Sequence, residues 1–307
     1  MNPGAKVVIQ RGERLTRAGQ FLRAAFLTGP GIAWVALFLI VPLLTIGAIS
    51  FMSKGVYGWF ETPATLYSYK RFVGFGLLGF DILYPIIILR SVALGAATAL
   101  LCAAASFPLA FFIAGVQPRF KNFALTLVVI PLWTNLMIRT YAWQILLGPQ
   151  SWLSQLGAAL HLVGPGQGIY PGTIAVYAGM VCDFLPFLTL PLYASVEKLD
   201  WSLVEAATDL GANSFNVFRH AILPQVMPGL AAGFILVFIP ATGQFVIPDL
   251  LGGGKTVMLG SLIQQLFLQS RDWPFGSAIA FVTMALSMVG IWCYARVSSA
   301  RGEEPLL

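Results

Sequence analysis

The chain has 307 residues, of which 58% are apolar and only 10% are charged, whereas soluble proteins carry about 25% charged residues. Because these charged residues are too few to cover the surface of a water-soluble monomer, we expect lipid to surround most of the protein. The net charge of +6 also fits a nucleic-acid-binding protein, but five of the cations fall within the first 23 residues, which favours a cytoplasmic flank of a membrane protein.

Six apolar stretches are long enough to cross a bilayer as helices, which takes about 20 residues. They lie at about 30–52, 91–115, 122–147, 173–195, 229–249 and 275–296. The first is longer than the roughly 7–15 apolar residues of a signal peptide, so we interpret it as a retained anchor. Residues 148–172 are rich in Gly and Pro and are excluded as a span. The sequence therefore predicts an all-α membrane protein with six transmembrane helices and short tails at 1–28 and 298–307.

The distribution of Lys and Arg predicts the orientation of these spans. Cations are concentrated in the N-terminal tail, in the loop at 116–121 and after the last span, whereas residues 148–172 contain no Lys or Arg. We therefore expect both termini in the cytoplasm and the loops 53–90, 148–172 and 250–274 outside. The first outer loop departs from the rule, because it contains four cations.

The predicted cytoplasmic loop 196–228 contains a distinctive helical pattern. Ser202 and Glu205 have the spacing of a capping box, which predicts a short helix opening there. Ala206 and Ala207 give that helix a surface with almost no side chain, on which another protein can approach closely.

The same loop carries the signals of a turn and a second helix. Gly211 suits the turn that ends the first helix, Asn213 or Ser214 suits the cap of the second, and Pro224 is expected to end it. The pattern indicates a helix-turn-helix that docks another protein, and an ordinary amphipathic linker is the alternative.

Residues 252–256 read Gly-Gly-Gly-Lys-Thr, which resembles part of a phosphate-binding loop. That motif needs a glycine where this chain has Asp249, so we interpret the segment as an outer turn. The two histidines fall on opposite sides of the predicted membrane, and three cysteines in apolar stretches make neither a disulfide framework nor a four-cysteine zinc site. Uphill transport by this chain would therefore need an ion gradient or a partner.

The loop pattern resembles the EAA loop of membrane subunits of type I ABC importers. The matching residues are Glu205, Ala206, Ala207, Gly211, Leu223 and Pro224, and Ala221 replaces the isoleucine of the family pattern. The resemblance implies a coupling helix that sits in a cleft of a cytoplasmic ATPase. It also implies that this chain binds no cofactor and is not itself an enzyme, because the partner hydrolyses ATP with magnesium.

A closer resemblance links the chain to permeases of spermidine/putrescine importers. It is carried by the segments 131–143, 183–193, 238–253 and 271–278. It implies a bacterial inner-membrane complex of two related permeases, an ATPase dimer and an extracytoplasmic binding protein, which imports a small cationic solute. Near relatives of this family carry other small organic solutes, so that alternative stays open.

Asp183 lies ten residues into the fourth predicted span, about 15 Å from its outer end at 1.5 Å per residue. A carboxylate at that depth costs about 2.5–3.5 kcal/mol, so we expect it to face a cavity or a partner. A passing amine and a hydrogen bond to a neighbouring span are both open. Arg139 is expected about 25 Å along the third span, close enough to the surface to extend into water.

We expect further pathway residues beside these two. They are Phe184, Trp133, Tyr141, Gln244 and Asp249. Gly229 and Gly233 form a Gly-x-x-x-Gly pattern that predicts close helix packing just after the coupling loop. An ion-coupled carrier is the alternative class, but no inverted repeat is visible. A membrane enzyme would need a polar cluster at one membrane face, and the sequence indicates none.

Overall fold

Helices dominate the part of the chain that the computed structural model describes, which is residues 28–300 without 56–57, 77–78, 81, 162, 165–166 and 255–256. Among these residues five helices are long and apolar enough to cross a membrane, and a bent helix pair makes a sixth if its two parts form one span. The five are α1 (Thr28–Ser50), α3 (Leu83–Gly115), α7 (Thr173–Glu197), the run Ser214–Gly243 and α13 (Trp273–Ala300). The predicted N-terminal tail up to residue 27 and residues 301–307 lie outside the described residues.

Shorter elements connect these helices. They are β1 (Ser53–Lys54), β2 (Phe60–Glu61), α2 (Tyr67–Phe72), β3 (Phe75–Gly76), β4 (Gly79–Phe80), α4 (Pro118–Val129), a 3₁₀ turn (Ile130–Trp133), α5 (Leu136–Leu146), α6 (Trp152–Ala159), α8 (Trp201–Asp209), α11 (Val246–Leu251) and α12 (Leu259–Leu268). The run Ser214–Gly243 consists of α9 (Ser214–Val217), a π turn (Phe218–Ile222) and α10 (Leu223–Gly243). The strands pair as two small antiparallel hairpins, β1 with β2 and β3 with β4.

The core is formed where α3, α7 and α10 pack against one another. A Cβ atom at Gly233 would lie 3.0 Å from the backbone of Leu188, and a side chain at Gly229 would overlap Ser195. These two glycines therefore let α10 lie directly against α7, which confirms the packing that their spacing predicts. A hydrogen bond of 2.8 Å between the Ser106 and Thr189 hydroxyls joins α3 to α7.

The predicted third span is wrong as a single straight helix. The axes of Pro118–Trp133 and Leu136–Leu146 differ by 96°. The chain turns because Thr134 and Asn135 are extended, and the Asn135 side chain accepts the Met137 N–H at 2.8 Å and so begins α5.

The predicted fifth span, 229–249, also differs from the structure at both ends. The helix begins before Gly229, and α10 ends at Gly243. Gln244 is extended, which ends α10, and its side chain accepts the N–H groups of Phe245 and Val246 at 3.0 and 3.3 Å just before the separate helix α11. The second span starts at Leu83 rather than 91, because the exposed Arg90 lies on a helix surface and does not end the helix.

Two cations of the predicted first outer loop share one carboxylate at the corner between α12 and α13. Arg71 of α2 lies 2.9 Å from the Asp272 carboxylate, donates to the Tyr84 hydroxyl at 3.0 Å and stacks over the Phe275 ring. Burial lowers the pKa of Arg71, but Tyr84 and Asp272 outweigh this and raise it above its ordinary value. Lys54 lies 3.7 Å from the same carboxylate. The cluster thus holds two of the four cations that depart from the charge rule.

Candidate functional site

The first helix of the coupling segment, which we define as residues 198–222, is capped by Asp200. Its carboxylate accepts the Ser202 side chain at 2.7 Å and the Ser202 N–H at 3.0 Å, and these two bonds lower the pKa of Asp200. The predicted capping box of Ser202 and Glu205 is therefore wrong. Ser202 already lies inside the first turn, and Asp200 provides the charge-assisted acceptor before it.

Gly211 ends α8 as its position predicts. Its φ of +81° is in the left-handed region, which glycine adopts without strain. Its N–H donates to the Thr208 carbonyl at 2.9 Å, and the next N–H, of Ala212, donates to Ala207 at 3.1 Å. A Cβ here would meet nothing within 4 Å. Backbone conformation, and not the lack of space, therefore selects glycine.

The second helix begins as expected but does not end at Pro224. Asn213 caps α9 by accepting the Asn216 N–H at 2.8 Å. The chain then passes through a π turn, in which the Leu223 N–H donates to the Phe218 carbonyl, and continues as α10. Proline lacks an N–H and its ring crowds the preceding turn. The wider π turn lies directly before Pro224, and the helix continues across it.

Outside the bundle, the coupling segment exposes large apolar side chains. Trp201, Leu203, Leu210 and Phe215 are 54%, 52%, 88% and 65% exposed. Glu205 and Ala206 are exposed beside them, Ala207 and Leu223 are half-buried, and Pro224 is exposed. An exposed group of aromatic and aliphatic side chains around small residues is typical of a protein-binding surface.

In the membrane interior, Asp183 forms an ion pair with Arg139. The exposed fractions of the two side chains are 11% and 16%, and Arg139 also donates to the Pro131 carbonyl. Arg139 therefore does not extend into outer water as expected, because the bend after Trp133 directs α5 back towards α7. The partner of Asp183 in the structure is a protein cation on a neighbouring element, in line with the internal-bond alternative.

A cavity of about 650 Å³ lies between α3, α4, α5 and α7. Its lining is apolar apart from Arg139 and Cys182 among the described residues. Asp183 is not part of this lining, whereas its ion-pair partner Arg139 is.

The other predicted pathway residues are scattered. Trp133 and Tyr141 are 77% and 52% exposed, whereas Phe184 is 5% exposed and packs near Phe187. Asp249 is exposed on α11, and the Gln244 side chain is bonded to the backbone N–H groups of Phe245 and Val246. Within the predicted set, the ion pair shown among the described residues is that of Arg139 with Asp183. Whether any of these residues contacts the solute stays a prediction.

Sequence reasoning missed several polar links. Gln144 of α5 donates to the Leu250 carbonyl of α11 at 2.9 Å, which holds the two short helices together. Lys121 of α4 lies 3.2 Å from Glu197 at the end of α7. Gln225 accepts the Asp200 N–H at 2.9 Å. Each link joins residues far apart in the chain, so a local pattern does not indicate it.

Comparison with known proteins places the chain in a family. Residues 106–301 match the family described as the binding-protein-dependent transport system inner membrane component. The chain belongs to this family. The match confirms the resemblance to importer permeases that the loop residues indicate.

Relatives in this permease family are similar over nearly the whole chain. The spermidine/putrescine transport system permease protein PotB of Haemophilus influenzae is 36% identical over 266 residues, which cover 87% of this chain and 91% of that protein. PotB of Escherichia coli is 34% identical over 275 residues, covering 89% and 98%. The inner membrane ABC transporter permease protein YdcU of Escherichia coli is 31% identical over 213 residues, covering 65% and 67%.

A solved structure shares the permease fold. A chain of a bacterial ABC transporter involved in the import of the acidic polysaccharide alginate superposes with a TM-score of 0.66 at 14% identity, covering 94% of this chain and 99% of that chain. At this identity the likeness concerns the fold. Together with the family match and the apolar helices, it identifies a multi-pass inner-membrane permease with the fold of ABC importers.

Proposed function

We propose that this chain is a permease subunit of an ABC importer that carries a polyamine, spermidine or putrescine, into the bacterial cytoplasm. The supporting observation is the exposed apolar surface of α8 and α9, which presents Glu205, Ala206 and Ala207 beyond the membrane-spanning bundle. The similarity to PotB over nearly the full length supports the choice of solute.

We propose three protein partners. The coupling segment docks an ABC ATPase dimer, whose subunits bind and hydrolyse ATP with magnesium, so this chain needs no cofactor and catalyses no reaction. A second, related permease completes the pathway, and an extracytoplasmic binding protein delivers the solute. Both termini then lie in the cytoplasm, together with the coupling segment.

Within the membrane, we propose that the solute pathway uses exposed residues of the predicted set. Trp133 and Tyr141 have aromatic faces that attract an ammonium group, and the carboxylate of Asp249 attracts it over a longer distance. Asp183 keeps Arg139 neutralised, so that a cationic solute does not meet an unpaired guanidinium in the cavity wall.

The test is solute uptake by proteoliposomes that contain the purified importer, the binding protein and ATP inside. Labelled putrescine and spermidine are expected to enter only with ATP, and Glu205→Lys is expected to abolish entry while the chain remains in the membrane. Gly211→Val should act similarly, because a β-branched residue is strained at positive φ, whereas Gly211→Asn should be tolerated better. Uptake that needs an ion gradient and no ATP would contradict the importer proposal in favour of a secondary carrier.

A second solute class deserves the same assay, because the permease fold itself does not select a polyamine. A panel of labelled neutral and anionic small solutes should be rejected. Import of one of them in preference to both polyamines would keep the importer assignment and overturn the proposed solute.

A further inference from the structure

Gln225 links the coupling segment to the membrane helix α10. Its side-chain oxygen accepts the Asp200 N–H at 2.9 Å, and its side-chain nitrogen donates to the Ala221 carbonyl at 2.8 Å. We propose that Gln225 is the positioning residue through which a displacement of α8 moves α10 during transport. This inference rests on the proposed function, because it concerns how the ATPase cycle reaches the pathway.

The first bond completes the cap of α8 from outside that helix. In a capping box, the side chain three residues after the cap accepts the N–H of the capping residue. In α8 that position is Leu203, whose side chain has no acceptor. Gln225 supplies the missing acceptor from α10, 25 residues further along the chain. If the start of α8 moves away from α10, the Asp200 N–H therefore loses its acceptor.

The second bond fixes the other end of the same side chain to the π turn. Ala221 lies within Phe218–Ile222, directly before Pro224. Since proline has no N–H, the hydrogen-bond ladder of the helix is interrupted there, and such turns often mark functional positions. The link thus ends where the long helix most easily changes its direction.

Apolar contacts also join the coupling segment to the bundle. Phe218 packs edge-on against the Phe107 ring of α3 at 5.5 Å, and Val217 is buried. Apolar contacts are non-directional, so they allow sliding. Two hydrogen bonds on one side chain fix both distance and direction. Gln225 is therefore suited to convert movement of α8 into movement of α10.

Gln225→Leu tests this proposal, since leucine has a similar size and makes neither bond. The importer in proteoliposomes is supplied with putrescine-loaded binding protein, and both ATP hydrolysis and putrescine entry are measured. We expect the complex to assemble and hydrolyse ATP. The amount of putrescine moved per ATP should fall about two- to tenfold, which is the change in an equilibrium constant when one hydrogen bond is lost. In the same variant, the Asp200 amide should exchange its hydrogen faster than in the parent.

Two further variants make the result decisive. Gln225→Asn keeps the amide but is one methylene too short to make both bonds, so it should also lower the ratio. Gln155→Leu removes an exposed glutamine of α6 and should leave the ratio unchanged. If both Gln225 variants move as much putrescine per ATP as the parent, the proposed link is overturned. This also holds if the variants assemble less complex and uptake and ATP hydrolysis fall in the same proportion. A parent importer that ignores putrescine and spermidine would instead refute the proposed function.

Discussion

Replacing Asp183 by asparagine should destabilise the protein because it leaves Arg139 without its counter-charge. Both side chains are largely buried, with exposed fractions of 11% and 16%. Removing one partner of a buried ion pair costs about 3–5 kcal/mol. The double variant Arg139→Gln/Asp183→Asn has no uncompensated charge and retains groups that form a neutral hydrogen bond, so we expect it within about 1 kcal/mol of the parent.

The double variant also separates two roles for Asp183 in transport. Asp183→Asn should slow uptake whether the carboxylate attracts the solute or neutralises Arg139, so the single variant does not distinguish these roles. If the carboxylate serves to neutralise Arg139, removing both charges restores uptake. We expect this result, because the carboxylate contacts Arg139 and does not line the cavity.

Thermal unfolding of the purified importer measures the first effect, and the initial putrescine uptake rate, normalised to assembled complex, measures the second. Glu61→Gln neutralises an exposed carboxylate of β2 and should change stability by less than about 0.5 kcal/mol. A double variant as unstable as Asp183→Asn would refute the role of the pair. A stable double variant with slow uptake would show that Asp183 acts on the solute itself.

Three further predictions concern the two ends of the bundle. In a chain without native cysteines, Gln155→Cys should react with an impermeant thiol reagent added outside and Gln117→Cys should not, and the reverse pattern would invert the proposed orientation. Asp272→Asn should lower the free energy of unfolding by about 1.5–3 kcal/mol, because it weakens the charge-assisted bond to Arg71. Lys54→Gln should lower it by less than about 1 kcal/mol, because the Lys54 side chain is 46% exposed. Equal losses in thermal unfolding would contradict this ranking. Because the pKa of Asp200 is lowered in the folded protein, its cap is fully present above the ordinary aspartate pKa of about 3.9 and is lost as the pH falls through the lower folded value. Protection of the amides at the start of α8 against hydrogen exchange should therefore be constant from about pH 8 to 5. A decline in protection within that range would contradict the role of Asp200 as the cap.

The spans and the coupling segment could be predicted because their signals are local. A run of apolar residues is sufficient to indicate a membrane helix, and Gly211 needs a backbone conformation that its position after α8 already suggests. The bend between α4 and α5 was missed, since apolar composition continues through it. Asn135, a favoured capping residue inside an apolar run, was the available signal.

The charge and hydrogen-bond partners could not be predicted from the sequence. Arg139 and Asp183 lie on helices whose relative direction depends on the bend, and a straight third span would have placed the arginine near the surface. Gln225 and Asp200 belong to different helices, and no spacing rule connects them. These features depend on tertiary packing, which becomes visible only when the helices are placed together.

Helix α1 differs from the other spans because its own chain hardly covers it. In its most apolar window only 6% of the residues are buried, although mean hydropathy there reaches 2.6. Its last turn packs, with Ile49 and Ser50 buried and Gly47 close to Phe281. Shape therefore constrains this helix little before residue 47. Contacts within this chain leave its apolar residues free to be exchanged for one another, and any position that resists exchange would mark the surface that the proposed second permease covers.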